Sequence, residues 1–209
     1  MKLIVVTTVN SLKNEASILT NLFELGLPTL HLRKPKYSTR RLKSLIEKIP
    51  FHFHNRIIIH SHHMLALTYQ LKGIHLTKQH KKSHLKTLIK LRYLKFRRPE
   101  LVITTSHTKI SNILERNRNY DYVFLSPIFD SATSKYQAGF TEHSLKGAVK
   151  KSPYRIVARG GVEAHHIEKV ANIGFYGLVM HSTMWTTEDP VNELTQFLKI
   201  FKELHIPIE

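Results

Sequence analysis

Residues 155–182 read RIVARGGVEAHHIEKVANIGFYGLVMHS, and this stretch holds the pattern that decides the fold. Two short apolar runs, at 155–158 and 177–180, flank an amphipathic segment at 163–173. Short β-branched runs predict strands, and apolar residues at helical spacing predict a helix between them. The stretch is therefore predicted to be a strand, a helix and a parallel strand joined by a right-handed crossover.

The same alternation extends along the whole chain. Strands are predicted at 3–7, 29–32, 56–60, 73–76, 101–105, 122–126, 155–158 and 177–180, and helices at 11–25, 39–49, 63–71, 110–116, 144–150, 163–173 and 191–204. Eight such units close a (β/α)8 barrel, so we predict an α/β fold, a single TIM barrel that occupies 1–209 as one domain. The alternative is an open doubly wound sheet, which normally carries a glycine-rich turn where this chain has Thr7 and Thr8.

Composition limits the classes of function. The chain has no cysteine, which excludes disulfides and any thiolate nucleophile or metal ligand. Its start, MKLIVVTTVN, has too short an apolar run for a signal peptide, and no stretch approaches the roughly 18 apolar residues that span a bilayer. We therefore expect a cytoplasmic protein without a membrane partner.

The charge predicts an anionic partner. Lysine and arginine number 32 against 15 acidic residues, a formal net charge of +17, and no acidic residue stands between Glu47 and Glu100. Segment 78–98 is predicted to be a basic helix with a packing stripe made of Leu85, Leu88, Ile89, Leu91 and Leu94. Nucleic acid, with Tyr93 and Phe96 for stacking, is a less favoured partner because no nucleic-acid motif accompanies the charge.

The predicted barrel places chemistry at the carboxyl ends of its strands. Gly160 and Gly161 follow the seventh strand and Ser182 follows the eighth, where barrels often hold a phosphate. Adjacent glycines allow backbone N–H groups to approach phosphate oxygens, although such a pair can also simply form a turn.

Five segments carry a family resemblance. They are LHLRK at 30–34, GIHL at 73–76, SPIF at 126–129, ARGGV at 158–162 and YGLVMHS at 176–182. In order and spacing they resemble the signature segments of thiamine phosphate synthases and their thiazole tautomerase relatives, over nearly the whole chain. The resemblance implies a barrel that acts on thiazole phosphate. A synthase joins this molecule to a pyrimidine diphosphate and expels pyrophosphate, whereas a tautomerase moves a proton on the thiazole ring.

The resemblance also implies site residues. Arg33 matches the arginine that grips the diphosphate, and Lys135 is offset by one position from the family lysine. Together with the histidine candidate His31, these are the predicted catalytic residues. The predicted substrate-binding residues are His60, Ser61, His80, Thr105, Ser131 and Thr133, and the predicted phosphate-binding residues are Gly160, Gly161 and Ser182.

Two departures bear on the reaction. Ser61 and His80 stand where the family keeps the aspartates that hold magnesium, and neither supplies the carboxylate that this ion prefers. We therefore expect no metal or other cofactor, with Mg²⁺ only if the synthase reaction is retained, and a metal-independent, tautomerase-like step is favoured. The tautomerase histidine is replaced by Pro127. His31, which shares a strand face with Arg33, is therefore the first candidate for the base, and His60 and His80 are the second candidates.

The expected partner is a phosphorylated thiazole, with a pyrimidine diphosphate as a second substrate if the synthase reaction is retained. The alternatives are an active synthase and a barrel that binds a phosphorylated ligand or nucleic acid without catalysis.

Overall fold

Eight parallel strands close a barrel in chain order in the computed structural model, which describes residues 1–116, 118–130 and 139–209. Each strand pairs with the next, and the last pairs with the first. The strands are β1 (Lys2–Val6), β2 (Thr29–Leu32), β3 (Ile57–Ile59), β4 (Gly73–Leu76), β5 (Val102–His107), β6 (Tyr122–Leu125), β7 (Ile156–Ala158) and β8 (Gly177–Met180). The predicted fold class is confirmed.

Helices follow the strands on the outside of the barrel. They are α1 (Glu15–Glu24), α2 (Thr39–Glu47), α3 (Leu65–Thr68), α4 (Lys78–Lys82), α5 (His84–Arg97), α6 (Ser111–Leu114), α7 (Glu142–Lys151), α8 (Ile167–Ile173), α9 (Ser182–Thr186) and α10 (Pro190–Glu203). None of the helices in the described ranges is long and apolar enough to cross a bilayer.

Several predicted boundaries move for local reasons. The helix predicted from residue 11 begins only at Glu15, because Asn14 has a left-handed φ of 55°. The strand predicted at 56–60 is shortened because Arg56 ends the 3-10 helix Phe51–Arg56. The predicted helix over 78–98 is two helices, α4 and α5, separated at Ser83.

The strands bury side chains on both faces, in two apolar layers. Alternate residues form a small cluster inside the barrel, made of Ile4, Val6, Ile58, Tyr122, Phe124, Val157 and Val179. The other set packs against the helices as the larger core. Because successive side chains alternate along a strand, residues two positions beyond an interior one also point inward, toward the barrel mouth.

The predicted packing stripe on the basic segment is wrong for most of its members. Only Leu94 of the five residues is fully buried, and Leu91 is half-buried. Leu85, Leu88 and Ile89 are exposed, because the face of α5 that packs on the barrel is the one carrying Thr87 and Leu94. The apolar residues do recur at helical spacing, but most of them face solvent.

Candidate active site

A cavity of about 230 Å³ opens at the carboxyl ends of β1, β2 and β8. It is lined by Thr8, Val9, Arg33, His181, Ser182, Trp185 and Thr186. Trp185 seats α9 at this end of the barrel, since its indole N–H donates to the Val6 carbonyl at 2.7 Å. The structure thus brings Arg33 and Ser182, both predicted site residues, to one cavity.

Two arginines at this mouth carry positive charge that no described residue neutralises. Arg33 follows β2, and Arg159 follows β7 two residues after the interior Val157, with its guanidinium 6.0 Å from the Phe124 ring centroid inside the barrel. Among the described residues, neither guanidinium has a carboxylate or hydrogen-bond partner. Burial, followed by the charge of Arg33, lowers the pKa of Arg159 to about 10. Two neighbouring, unneutralised cations favour an anionic ligand.

The neutral imidazole of His181 lies near these cations. Burial lowers the pKa of His181 to about 4, with further lowering by Arg159 and Arg33. Its Nε2 is buried and finds no hydrogen-bond partner in the described part of the chain. A buried polar atom without a partner is uncommon in a native structure, and a ligand is one way to satisfy it.

The glycine pair after β7 is required by the turn itself. Gly160 and Gly161 have left-handed φ values of 89° and 64°, which L side chains rarely adopt. A Cβ on Gly161 would also collide with the carbonyl oxygens of Phe129 and Asp130. The turn therefore accounts for both glycines, and their role in phosphate binding stays a prediction.

A hydrogen-bonded imidazole network lies beneath the mouth. His31 is fully buried, with Nδ1 3.0 Å from His60 Nε2 and Nε2 2.7 Å from the Tyr122 hydroxyl. His75 stacks on His60 with ring centroids 4.1 Å apart, and its two nitrogens are hydrogen-bonded to the hydroxyls of Thr104 and Ser106. Burial lowers the pKa of all three imidazoles well below 6.5, so they are neutral near pH 7. His60, at 6% exposure, is the most exposed of the three.

The positions that the resemblance assigns to magnesium do not fit that ion. Ser61 Oγ is buried without a hydrogen-bond partner in the described ranges. The described residues place no carboxylate beside it in a group that could hold a metal ion. His80 caps its own helix, with Nδ1 accepting from the Thr77 backbone N–H at 3.2 Å. A serine hydroxyl and an engaged imidazole do not replace carboxylate oxygens around magnesium.

One ligand cluster does occur among the described residues. One ring nitrogen from each of His31, His60 and His75 lies within 4.8 Å of the others. Imidazole suits zinc rather than magnesium. However, the charge of Arg159 lowers the pKa of all three rings, and the same charge would oppose a bound dication.

Other predicted residues lie elsewhere. Thr105 is fully buried on the helix side of β5 and donates to the Leu76 carbonyl at 2.8 Å, whereas its neighbour Ser106 faces inward. Lys34, beside Arg33, is fully buried in an ion pair of 2.5 Å with Glu15. The predicted residues Ser131, Thr133 and Lys135 lie outside the described ranges.

The comparisons with known proteins agree with the fold. The family model described as thiamine monophosphate synthase matches residues 3–184. The chain belongs to the thiamine monophosphate synthase family. No sequence among the curated proteins matches it with significance.

Solved structures place the family member among similar barrels. A thiamine phosphate pyrophosphorylase from Bacteroides thetaiotaomicron is 28% identical, with 97% of this chain and 98% of that chain covered and a TM-score of 0.77. One from Pyrococcus furiosus is 20% identical, with 97% and 96% covered and a TM-score of 0.75. A (S)-3-O-geranylgeranylglyceryl phosphate synthase from Thermoplasma acidophilum, in complex with sn-glycerol-1-phosphate, is 12% identical, with 97% and 93% covered and a TM-score of 0.68. The two more distant structures show the fold alone.

The predicted site set did not include four residues that the structure brings to the mouth or beneath it. They are His75, Tyr122, Arg159 and His181. Strand alternation was the available signal, since each lies on the interior face of its strand or directly beyond it.

Proposed function

We propose that this family member binds thiazole phosphate at the barrel mouth and moves a proton on the thiazole ring without a metal. The observation that carries the proposal is the pair of guanidiniums of Arg33 and Arg159, which have no partner among the described residues, at a mouth whose magnesium positions hold Ser61 and His80. Fixed cations neutralise a phosphate directly, and guanidinium presents paired N–H donors that match its oxygens.

The phosphate is proposed to lie between the loops after β7 and β8. Ser182 lines the cavity beside Arg33, and the backbone N–H groups of Gly160 and Gly161 donate to no acceptor in the described ranges. These donors, together with the two guanidiniums, supply both hydrogen bonds and charge for a phosphate dianion.

His60 is proposed as the base, with His31 as the residue that positions it. His60 is the network imidazole nearest to solvent, and its Nε2 is engaged by His31. The Nδ1 of His60 is then the atom that takes a proton from the ring and returns one to it. Because burial lowers the pKa of His60 most, followed by neighbouring positive charge, its imidazole is neutral near pH 7 and can accept a proton.

The second candidate is the synthase reaction. The same guanidinium pair favours it, since a departing diphosphate needs cations and donors aimed at the developing negative charge. This reading requires Arg33 and Arg159 to replace the charge that magnesium supplies in the family.

Binding of thiazole phosphate, measured by calorimetry with chelator present, tests the site. Arg33→Ala and Ser182→Ala are each expected to weaken binding about tenfold or more, because each removes a donor to a charged group. His143→Gln, a change at an exposed histidine on α7, is the matched control. Equal affinity for the dephosphorylated alcohol would overturn the phosphate site.

A further inference from the structure

Helix α5 presents an outer stripe of large apolar side chains to solvent. The stripe consists of Leu85, Leu88, Ile89, Tyr93 and Phe96. Leu85, Ile89 and Phe96 are 72%, 66% and 82% exposed. The spacing of the five residues places them on one side of the helix, opposite the side carrying Thr87 and Leu94. The helix is therefore apolar on both sides, and its outer side has no partner in the described chain.

Cations border and interrupt this outer stripe. At 100° per residue, Lys86, Lys90 and Arg97 lie along one edge and Lys95 along the other, while Arg92 lies within it. None of the five forms a salt bridge with a described carboxylate. The interval between Glu47 and Glu100 holds no acid that could neutralise them.

Charge decides among the occupants of such a surface. A second copy packed about a twofold axis at the middle of the stripe would place Arg92 near its own counterpart, with lysines facing lysines. Nucleic acid would satisfy the cations but not Leu85 and Ile89, which offer no hydrogen bond or stacking surface. An anionic lipid surface suits both the apolar side chains and the cations, because the apolar side chains enter the acyl boundary while the flanking cations contact the headgroups.

We propose that the outer stripe of α5 docks this protein on the surface of a bilayer rich in anionic phospholipid. The helix lies along the surface rather than crossing it, with Phe96 and Ile89 entering the boundary region. Because α5 lies on the side of the barrel, between β4 and β5 in the chain, docking leaves the mouth cavity open to its substrate.

Flotation with lipid vesicles tests the proposal. Vesicles of phosphatidylcholine with about one-third phosphatidylglycerol are expected to bind the full chain at least about tenfold more strongly than phosphatidylcholine alone. The double variant Ile89→Gln/Phe96→Gln is expected to weaken this binding about tenfold or more, since it removes two of the most exposed apolar side chains. Phe51→Gln, a change at an exposed phenylalanine in the 3-10 helix before β3, is the matched control and should bind like the parent.

Four outcomes would overturn the proposal. Equal binding to neutral vesicles would remove anionic lipid as the occupant. Binding that the double variant leaves unchanged would remove the outer stripe from the interaction. A dimer that the double variant converts to monomer, and that does not float with vesicles, would assign the stripe to a second copy. If immobilised RNA retains the double variant but not Lys86→Gln/Lys90→Gln, and the protein does not float with vesicles, the face would be assigned to nucleic acid. If the double variant melts at a lower temperature than the parent, Leu85→Gln is used to repeat the test.

Discussion

Acidification should destabilise this barrel steeply, because the folded protein buries three neutral imidazoles. The pKa of His31, His60 and His75 in the folded state lies well below 6.5, mainly through burial. Below about pH 6.5 the unfolded chain therefore binds more protons than the folded one, so their stabilising contribution is present above that pH and lost as pH falls. Between about pH 7.5 and pH 5.5 each histidine is worth about 1.4 kcal/mol, provided that it stays neutral in the folded protein, so the three together lose about 4 kcal/mol.

Urea unfolding at the two pH values measures this loss together with that of His63, His107 and His181, whose pKa burial also lowers. His75→Gln keeps a polar side chain but removes one titrating group, so its free energy of unfolding should fall by about 1.4 kcal/mol less than that of the parent over the same interval. His143→Gln, at an exposed position, should keep the parent's dependence. A free energy of unfolding that is flat between the two pH values, or an undiminished dependence in His75→Gln, would refute the account of the buried network.

Three substitutions test other parts of the structure by thermal or urea unfolding. Gly161→Ala should cost about 2–4 kcal/mol, because the left-handed turn and the neighbouring carbonyls exclude a Cβ, whereas Gly147→Ala, with open space on α7, should be neutral or slightly stabilising. Lys34→Met should lower the free energy of unfolding by about 3–5 kcal/mol, because it leaves buried Glu15 without its cation. Adding Glu15→Gln should restore part of this loss. A double variant no more stable than Lys34→Met would contradict the role of the ion pair. Tyr122→Phe should cost about 1–3 kcal/mol, because its hydroxyl satisfies a buried imidazole nitrogen, and an unchanged free energy would contradict the hydrogen bond.

The fold was predictable because the strands of a parallel barrel are buried on both faces. Such strands appear in the sequence as short continuous apolar runs. GIHL at 73–76 and YGLV at 176–179 are runs of this kind between helical segments, and they predict strands. Boundaries were less predictable where the backbone takes a special conformation, as at Asn14, since a left-handed φ leaves little trace in a pattern of apolar residues.

The site was predictable only in part. Strand ends identify Arg33 and Ser182 as residues of the mouth, since the topology fixes where those ends meet. The contact between His31 and His60, and the stacking of His75 on His60, depend on closure and stagger of the barrel, which no local motif records. Periodicity likewise located an apolar stripe on α5 but did not reveal whether it faced the core or solvent.

The most direct test of a metal-free phosphate site is to assay both reactions side by side, with excess chelator and with excess magnesium. We expect conversion of the thiazole phosphate at the same rate under both conditions, little thiamine phosphate from the two synthase substrates, and loss of conversion in His60→Ala and His31→Ala. Robust thiamine phosphate formation that the chelator abolishes would contradict the account, because it would require magnesium at positions now held by Ser61 and His80.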